Sequence, residues 1–215
     1  IAEEFIAKDP DNKVIFISTG NPFELSVLDK TDFLLEKITV EGIKGRGFLR
    51  QLRSMWKIPR GIFESIQIIN NFKPDLVMGV GSYAAGPVAI GAWLMRKKIV
   101  LHEQNILPGI TNRILSRFAD RIYVSFKNTK TNFNPDKVLC TGNPLRKALI
   151  QIAKTNKDNR TTAVKRDETF TVLILGGSQG AHSINEAVIT ALNYFKNKGN
   201  FYFIHQTGKQ DLAKV

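Results

Sequence analysis

The amino-acid sequence predicts an α/β protein built from doubly wound parallel sheets. Short apolar runs alternate with helical patterns along the 215 residues. Most of these runs are continuously apolar, which is typical of strands that are buried on both faces of a parallel sheet. Glycine-rich turns follow two of the runs directly, as they do where a strand leads into a helix. Strands that alternate with helices indicate parallel strands covered by helices.

Seven runs rich in β-branched or aromatic residues are the predicted strands. They span residues 14–17, 76–78, 99–101, 122–124, 137–140, 171–175 and 202–205.

Helical spacing of apolar residues predicts the elements between these strands. Residues 1–8 have the pattern of the last turns of a helix, and Pro87 suits the first position of another. The predicted helices span residues 56–71, 87–95, 111–119 and 183–198.

The polar stretch 153–168 interrupts this alternation. It contains too few large apolar residues to order itself by burial. We therefore expect a first domain over residues 1–148, a linker or surface loop over 149–168, and the start of a second domain over 169–215. The chain begins at Ile1 and ends at Val215 without a stop signal, so we expect both domains to be truncated.

Charge and cysteine content restrict the class of protein. Thirty-one Lys and Arg against 19 Asp and Glu give a formal net charge of +12. This favours an anionic partner, which could be nucleic acid, a membrane surface or a phosphorylated small molecule, although a basic protein without such a partner is the alternative. The single cysteine, Cys140, excludes an intrachain disulfide, indicates a reducing compartment and is expected in the core. No apolar run reaches the roughly 18 residues of a spanning helix.

Two glycine-rich turns are candidate phosphate-binding sites. Glycine permits positive φ and close approach of the backbone, and the following helix presents free N–H groups and its positive dipole end. The alternative is a tight turn without a ligand. The candidate residues are Gly79, Gly81, Ser82 and Tyr83 in the first turn, and Gly177, Ser178, Gln179 and Gly180 in the second.

The first turn also resembles a dinucleotide fingerprint. Gly79, Gly81 and Ala84 match G-x-G-x-x-A, and Glu103 follows where an acid that binds ribose would lie. Against this interpretation, a helix that begins near Pro87 starts too late for the motif.

Four polar residues, His102-Glu103-Gln104-Asn105, follow the strand at 99–101. Burying them is unfavourable unless they find hydrogen-bond partners. They are candidates to bind a sugar, ribose or diphosphate, with Glu103 or His102 as a proton acceptor. The alternative is helix capping and loop hydrogen bonds. We expect no metal site, because no second pair of ligands is suitably spaced.

The segment 47–63 interleaves apolar and basic residues, as in helices that lie on anionic membranes. The alternative is a surface helix whose apolar side packs on the sheet. No nucleic-acid recognition motif accompanies the charge, so we expect no nucleic-acid partner. The candidate membrane patch comprises Phe48, Leu52, Arg53, Trp56, Lys57 and Trp93.

Together, these motifs resemble the MurG family in order and spacing. The resemblance rests on the turn at 79–87, HEQN at 102–105, TGNPLR at 141–146, GGSQGA at 176–181 and HQTG at 205–208. It implies a GT-B fold with two Rossmann-like domains. The first would bind a lipid acceptor and dock on the membrane, and the second would bind UDP-N-acetylglucosamine.

By motif, the resemblance implies roles for particular residues. Asn105, Arg146 and Ser178 match donor-binding positions, the turn at 79–86 matches a loop that meets the acceptor diphosphate, and the segment around Trp56 and Trp93 matches the membrane patch. Ser82 stands where the family usually has Gly, and His182 where it often has Arg. The family's N-terminal glycine loop with its histidine, and most of its second domain, are absent, so this chain alone is expected to be inactive.

The implied reaction is an inverting transfer in peptidoglycan synthesis at the cytoplasmic face of the bacterial plasma membrane. N-acetylglucosamine would pass from UDP to the 4-hydroxyl of an undecaprenyl-diphosphate-linked muramoyl-pentapeptide, without a cofactor. The base stays open between Glu103 and the family's N-terminal histidine. Two alternatives stay open as well: an NAD(P)-dependent oxidoreductase and a non-catalytic membrane-docking subunit of a split transferase.

Overall fold

A computed structural model describes residues 1–40, 48–158, 169–177, 180–195 and 199–215 of the chain; for residues 23, 48–57, 130–132 and 156–158 it describes the backbone alone. The chain forms two compact units, Ile1–Arg146 and Lys147–Val215.

The first unit alternates helices and strands. Its elements are α1 (Ala2–Lys8), β1 (Ile15–Ser18), α2 (Pro22–Leu28), β2 (Leu34–Lys37), α3 (Phe48–Phe72), β3 (Leu76–Gly79), α4 (Ala85–Leu94), β4 (Lys98–Glu103), α5 (Ile110–Leu115), β5 (Arg121–Val124), two 3-10 turns (Lys127–Asn132 and Pro135–Lys137) and β6 (Val138–Cys140).

Every strand pair in this unit is parallel. β1 pairs with β2, and a four-stranded sheet has the order β3-β4-β5-β6. Leu101 in β4 and Ile122 and Val124 in β5 are fully buried at its centre. Gly79 pairs with Leu101, so β4 continues two residues beyond the end of β3. This register places the first glycine turn beside the polar end of β4.

Small residues bring α3 and α4 close together on this sheet. A Cβ at Gly91 of α4 would lie 3.3 Å from the Cβ of Ser65 in α3. Ser65 is fully buried, and its hydroxyl donates to the carbonyl oxygen of Gly61 at 2.6 Å, which satisfies a polar group in an apolar interface.

The second unit contains a parallel βαβ arrangement. Its elements are α6 (Lys147–Asp158), β7 (Phe170–Leu175), α7 (His182–Leu192) and β8 (Phe201–Gln206), and β7 pairs with β8.

The predicted fold class is confirmed, and each of the seven predicted strands is present. The strand β2 and the helix α2 were not predicted. β2 reads Leu-Leu-Glu-Lys and is mostly exposed, so it lacks the continuous apolar signal of a buried strand. The predicted helices also differ at their ends: α3 begins at Phe48, α4 begins at Ala85, and α5 ends at Leu115.

The stretch 149–168, expected as a linker or surface loop, is helical up to Asp158, because Lys147–Asp158 lacks Gly and Pro and has apolar residues in its first half; residues 159–168 lie outside the described part. One local prediction is wrong. Cys140 is exposed rather than in the core, since β6 is an edge strand of the sheet as described.

The centre of the four-stranded sheet should dominate the stability of the first unit. Ile122→Ala removes a fully buried side chain, and we expect it to lower the free energy of unfolding by about 2–5 kcal/mol. The matched control Leu34→Ala truncates an exposed side chain of β2 and should change that free energy by less than about 0.5 kcal/mol. Urea titrations of both variants would measure the difference, and equal effects would contradict this placement of the core.

Candidate functional site

The first glycine turn (residues 79–86) meets the polar end of β4 at the carboxyl edge of the sheet. A Cβ at Gly79 would lie 2.8 Å from a methyl carbon of Leu101. Gly81 has φ +90°, and a Cβ there would lie 3.2 Å from the side-chain nitrogen of Asn112. Close packing and positive φ therefore both require glycine here, independently of any ligand.

Glu103 is the centre of a buried hydrogen-bond network. The residue is 1% exposed. Its Oε1 accepts from the backbone N–H and side-chain amide of Asn105 at 2.9 and 3.1 Å. Its Oε2 accepts from the backbone N–H of Gly109 at 3.0 Å and from Nδ2 of Asn112 at 2.9 Å. Four donors thus converge on one carboxylate.

These donors determine the charge of Glu103. Burial raises the pKa of its carboxyl group, but the hydrogen bonds from Asn105, Asn112 and Gly109 lower it by more, so that the pKa lies below its usual value. The carboxylate is therefore ionised at neutral pH with both oxygens occupied. This geometry favours a structural role over that of a general base.

His102 is buried beside this network with both ring nitrogens engaged. Its Nδ1 lies 3.0 Å from Nε2 of Gln104, an amide nitrogen that can act only as a donor. We therefore assign the ring proton to Nε2, which lies 3.3 Å from the carbonyl oxygen of Gly142 and donates to it. His102 thus ties β4 to the segment after β6, and this arrangement also favours a structural role.

Asn105 is held at the surface by the same network. Its side-chain amide donates to Glu103, and its backbone carbonyl accepts from the buried hydroxyl of Thr129 at 3.0 Å. The side-chain carbonyl of Asn105 has no partner among the described residues and lies on an exposed residue. It is available to accept from a ligand hydroxyl or amide.

Asn112 completes the network from α5 and was not singled out in the sequence. It is 1% exposed, and its Nδ2 also donates to the carbonyl oxygen of His102 at 3.2 Å. Because a polar residue in a helix is ordinarily expected on the surface, the sequence carries only a weak signal of its burial.

The run after β6, which begins at Thr141, is fixed by the strand next to it. The backbone N–H groups of Thr141 and Gly142 donate to the carbonyl oxygen of Val124 at 3.1 and 3.3 Å, and Gly142 has φ +80°. Arg146 is exposed at the last position of the first unit.

The second glycine turn (residues 176–181) lies between β7 and α7, and its described residue Gly180 packs against Thr207, just after β8. The backbone N–H of Gly180 donates to the carbonyl oxygen of Gly177 at 3.0 Å. A Cβ at Gly180 would lie 1.9 Å from the carbonyl oxygen of Thr207, which also accepts from Nδ2 of Asn185 at 2.9 Å. Ser178 and Gln179, the candidate side-chain donors, lie outside the described residues.

A second polar cluster lies at the start of α7 and was not predicted. The carboxylate of Asp211 accepts from Nδ2 of Asn185 at 2.8 Å and lies 2.9 Å from Nδ1 of His182. The hydrogen bond from Asn185, and then that from His182, keep the pKa of Asp211 below its usual value. His182 is thereby fixed next to the second glycine turn.

The predicted membrane patch is described only in part. Trp93 is half exposed at the end of α4 and packs edge-on against Phe118, with ring centroids 5.1 Å apart. The patch residues of α3 lie where the backbone alone is described; they are Phe48, Leu52, Arg53, Trp56 and Lys57. No helix within the described ranges is long and apolar enough to cross a bilayer, and no three His, Cys, Asp or Glu residues of those ranges are grouped to hold a metal ion.

Comparisons with known proteins agree over the whole chain. Residues 1–124 match the glycosyltransferase family 28 N-terminal domain, and residues 171–215 match the glycosyltransferase family 28 C-terminal domain. A relative from Syntrophus aciditrophicus is 42% identical over 100% of this chain, and the chain spans 58% of that relative's length. Its name is UDP-N-acetylglucosamine–N-acetylmuramyl-(pentapeptide) pyrophosphoryl-undecaprenol N-acetylglucosamine transferase.

Solved structures give the same fold. The crystal structure of Acinetobacter baumannii MurG is 26% identical, with a TM-score of 0.65 over 99% of this chain and 55% of that one. A UDP-GlcNAc 2-epimerase from Neisseria meningitidis has a TM-score of 0.59 over 97% of this chain and 62% of that one. At 16% identity, the epimerase supports the fold alone. The predicted GT-B type of architecture is confirmed.

The Glu103 network should make part of the stability depend on an ionised carboxylate. Glu103→Gln replaces one acceptor oxygen by an amide that faces N–H donors, so we expect a loss of about 2–3 kcal/mol in the free energy of unfolding at pH 7. Because the folded-state pKa is lowered, this advantage of the wild type is complete above the unfolded-state pKa of about 4.3 and declines as the pH falls through the folded-state value. Urea titrations between pH 7 and pH 2 would measure it, and a difference that stays constant below pH 4 would contradict the assignment.

Alanine substitutions at Gly177 and Gly180, the two positive-φ glycines of the second glycine turn, should lower stability by different amounts. Gly177 has φ +81° with no atom within 4 Å of an added Cβ, so Gly177→Ala should lower the free energy of unfolding by about 1–2 kcal/mol through conformation alone. Gly180→Ala adds a clash with the backbone of residue 207, which should raise the loss by about 1–3 kcal/mol. Thermal unfolding of the two variants provides the comparison, and equal melting temperatures would be inconsistent with the described packing.

Proposed function

The chain belongs to glycosyltransferase family 28, and on this basis we propose that the protein transfers N-acetylglucosamine from UDP-N-acetylglucosamine to a lipid-linked muramoyl-pentapeptide. The acceptor sugar's 4-hydroxyl would attack C1 of the donor with inversion, and UDP would leave. The observation that carries this proposal is the close packing of Gly180, in the second glycine turn, against Thr207, directly before the eleven-residue helix α7. The relative from Syntrophus, similar over the whole chain, is named for this transfer.

The second glycine turn is the proposed site of the donor diphosphate. The turn leads directly into α7, whose first N–H groups and positive dipole end face the residues before the helix. A diphosphate that leaves during glycosyl transfer gains negative charge, and preorganised N–H groups stabilise that charge without rearranging. We propose Gly177, Ser178, Gln179 and Gly180 for this role.

His182 adds a feature to this proposed site. It occupies the first position of α7, and Asp211 fixes its imidazole ring. Because the Asp211 carboxylate accepts from Nδ1, the free Nε2 donates to an anion beside the helix start only when the ring carries both protons, and in that form it would serve as an arginine does at the same position.

We propose that the first glycine turn contacts the acceptor diphosphate through Gly79, Gly81, Ser82 and Tyr83. The turn lies at the carboxyl edge of a parallel sheet, which is where ligands bind in open α/β folds. Asn105 and Arg146 are exposed and are proposed to contact the UDP-sugar, as the family resemblance implies.

The base is proposed to come from a residue other than Glu103 or His102. All four close donors to Glu103 are protein groups, and both ring nitrogens of His102 have protein partners. Neither side chain therefore has a free atom to accept the proton of the attacking hydroxyl.

We propose that the protein acts as a peripheral enzyme at the cytoplasmic face of the plasma membrane, against an anionic lipid surface. The acceptor in the relative's name carries an undecaprenol chain, which partitions into a bilayer. The net charge of +12 and the basic, apolar segment of α3 support binding to anionic lipid.

The oxidoreductase alternative has less support than the transferase. The start of α4 at Ala85 suits a dinucleotide motif better than the expected start at Pro87. However, the Glu103 carboxylate, which would have to bind a ribose hydroxyl, is already saturated by four donors. The docking-subunit alternative is disfavoured because the second glycine turn belongs to the same chain.

Ligand-dependent stability distinguishes these functions in the full-length protein. At one hundred times its Kd, a ligand that binds only the native state adds about 2.7 kcal/mol of stability. We expect UDP-N-acetylglucosamine to raise the melting temperature and NAD(H) to leave it unchanged. The same protein, without a partner, should transfer labelled N-acetylglucosamine to the lipid-linked acceptor. Stabilisation by NAD(H) alone, or transfer that requires a second protein, would overturn the proposal.

A further inference from the structure

The polar cluster at the start of α7 connects an exposed imidazole ring to the second glycine turn. Oδ2 of Asp211 lies 2.9 Å from Nδ1 of His182 and accepts from Nδ2 of Asn185 at 2.8 Å. The same buried amide group donates to the carbonyl oxygen of Thr207, which lies against Gly180. One asparagine therefore links the position of the ring to the position of the turn.

His182 keeps one ring nitrogen free at the surface. Its side chain is 69% exposed, and Nε2 has no hydrogen-bond partner among the described residues. The residue occupies the first position of α7, and Ala181 before it provides no side-chain cap for the helix. Among residues 176–182, it carries the only titratable side chain. A change in its protonation is therefore the most direct way for pH to act on the turn.

The acidic and basic groups next to His182 keep a constant charge near neutral pH. Asp211 is the carboxylate in contact with the ring, and hydrogen bonds from Asn185 and then from His182 keep its pKa below the usual value, so it stays ionised. Glu186, one turn further along α7, pairs with Lys214, and its hydrogen bond raises the pKa of that lysine. Imidazole is the side chain that ordinarily changes charge between about pH 5 and pH 8.

The strands beneath α7 add one further candidate for titration. β7 and β8 contain no Asp, Glu, Lys or Arg, and Lys209, which follows β8, is exposed and carries a constant charge. His205 in β8 is the second imidazole of this unit, but both of its ring nitrogens are shielded from solvent. Since it cannot contact a ligand directly, His182 is the group that geometry favours.

We propose that protonation of His182 controls the affinity of the second glycine turn for the donor diphosphate. While Asp211 accepts from Nδ1, Nε2 of the neutral ring carries no proton and offers an anion no hydrogen bond. Uptake of a proton at Nε2 creates a charge-assisted donor and adds a positive charge at the start of α7. The affinity for the donor is then highest in mildly acidic solution and falls as the pH rises. This regulation rests on the proposed function of the turn.

The residue type at position 182 makes this site sensitive to pH. His182 stands where the MurG family often has Arg, and a guanidinium group stays protonated throughout the pH range of a folded protein. An arginine here would hold a constant charge, whereas the imidazole gains and loses its charge near neutral pH. The donor itself does not titrate in this range, because both of its phosphates are esterified and lack the second ionisation of a phosphate monoester.

Donor affinity as a function of pH tests the inference. In the full-length protein, the Kd for UDP-N-acetylglucosamine should rise about threefold to tenfold between pH 6 and pH 8.5, as one charge-assisted hydrogen bond is lost. His182→Ala should bind at both pH values as weakly as the wild type does at pH 8.5. His182→Arg should bind at both as tightly as the wild type does at pH 6. Melting temperatures without ligand would verify that both variants fold, as the exposure of this side chain leads us to expect.

Two further measurements separate His182 from its surroundings. Glu186→Gln breaks the neighbouring ion pair with Lys214 and should retain the pH dependence of the wild type. Binding at an intermediate pH should also take up protons, because a ligand that prefers the protonated ring must favour its protonation. Calorimetry in two buffers of different ionisation enthalpy would detect this uptake in the wild type, and His182→Ala should show none.

Three results would overturn the inference. One is a wild-type Kd that does not change with pH, and another is a pH dependence that His182→Ala retains, which would assign the titration to His205 or to another group. The third is an equal loss of pH dependence in Glu186→Gln, which would indicate a general effect of charge near the helix start. Failure of the proposed function would look different, since the wild type would then bind no UDP-N-acetylglucosamine at any of these pH values, and the inference would fall with it.

Discussion

The burial of one carboxylate determines the arrangement of the candidate site in the first unit. An ionised group away from water is tolerated only when hydrogen bonds replace its solvation. Glu103 meets this requirement with donors from Asn105, Gly109 and Asn112. Those donors lie on both sides of the loop that connects β4 to α5, so satisfying the charge also fixes the loop. The position of Asn105, the inward direction of Asn112 and the outward direction of the isoleucines on α5 all follow from it.

A steric constraint has the equivalent effect in the second unit. The backbone at Gly180 approaches the carbonyl of Thr207 so closely that no side chain can be placed between them. Asn185 donates to the same carbonyl and to Asp211, which in turn contacts His182. Gly180 before α7 and His182 at its first position are thus fixed by packing and hydrogen bonds within their own unit. Preorganised N–H groups are what a charged leaving group requires for stabilisation.

The strands and glycine turns could be predicted from the sequence because their signals are local: continuous apolar runs, and glycines placed between a strand and a helix. The helix α6 escaped prediction because its second half is polar, and β2 because it is exposed. The roles of His102 and Glu103 could not be predicted, because a run of polar residues at a strand end has the same sequence pattern whether its hydrogen-bond partners belong to a ligand or to the protein. The buried position of Asn112 results from its hydrogen bond to Glu103, nine positions earlier in the chain, and the sequence carries only a weak signal for that contact.

Amide hydrogen exchange at Asn105 and Gly109 tests most directly whether Glu103 organises this loop. Both residues are exposed at the surface, so their N–H groups would exchange quickly without the carboxylate. The account predicts slow exchange of both amides in the wild type at neutral pH. In Glu103→Gln, which keeps one acceptor oxygen, at least one amide should lose protection while Leu101 in β4 stays protected. Fast exchange at both positions in the wild type would contradict the account.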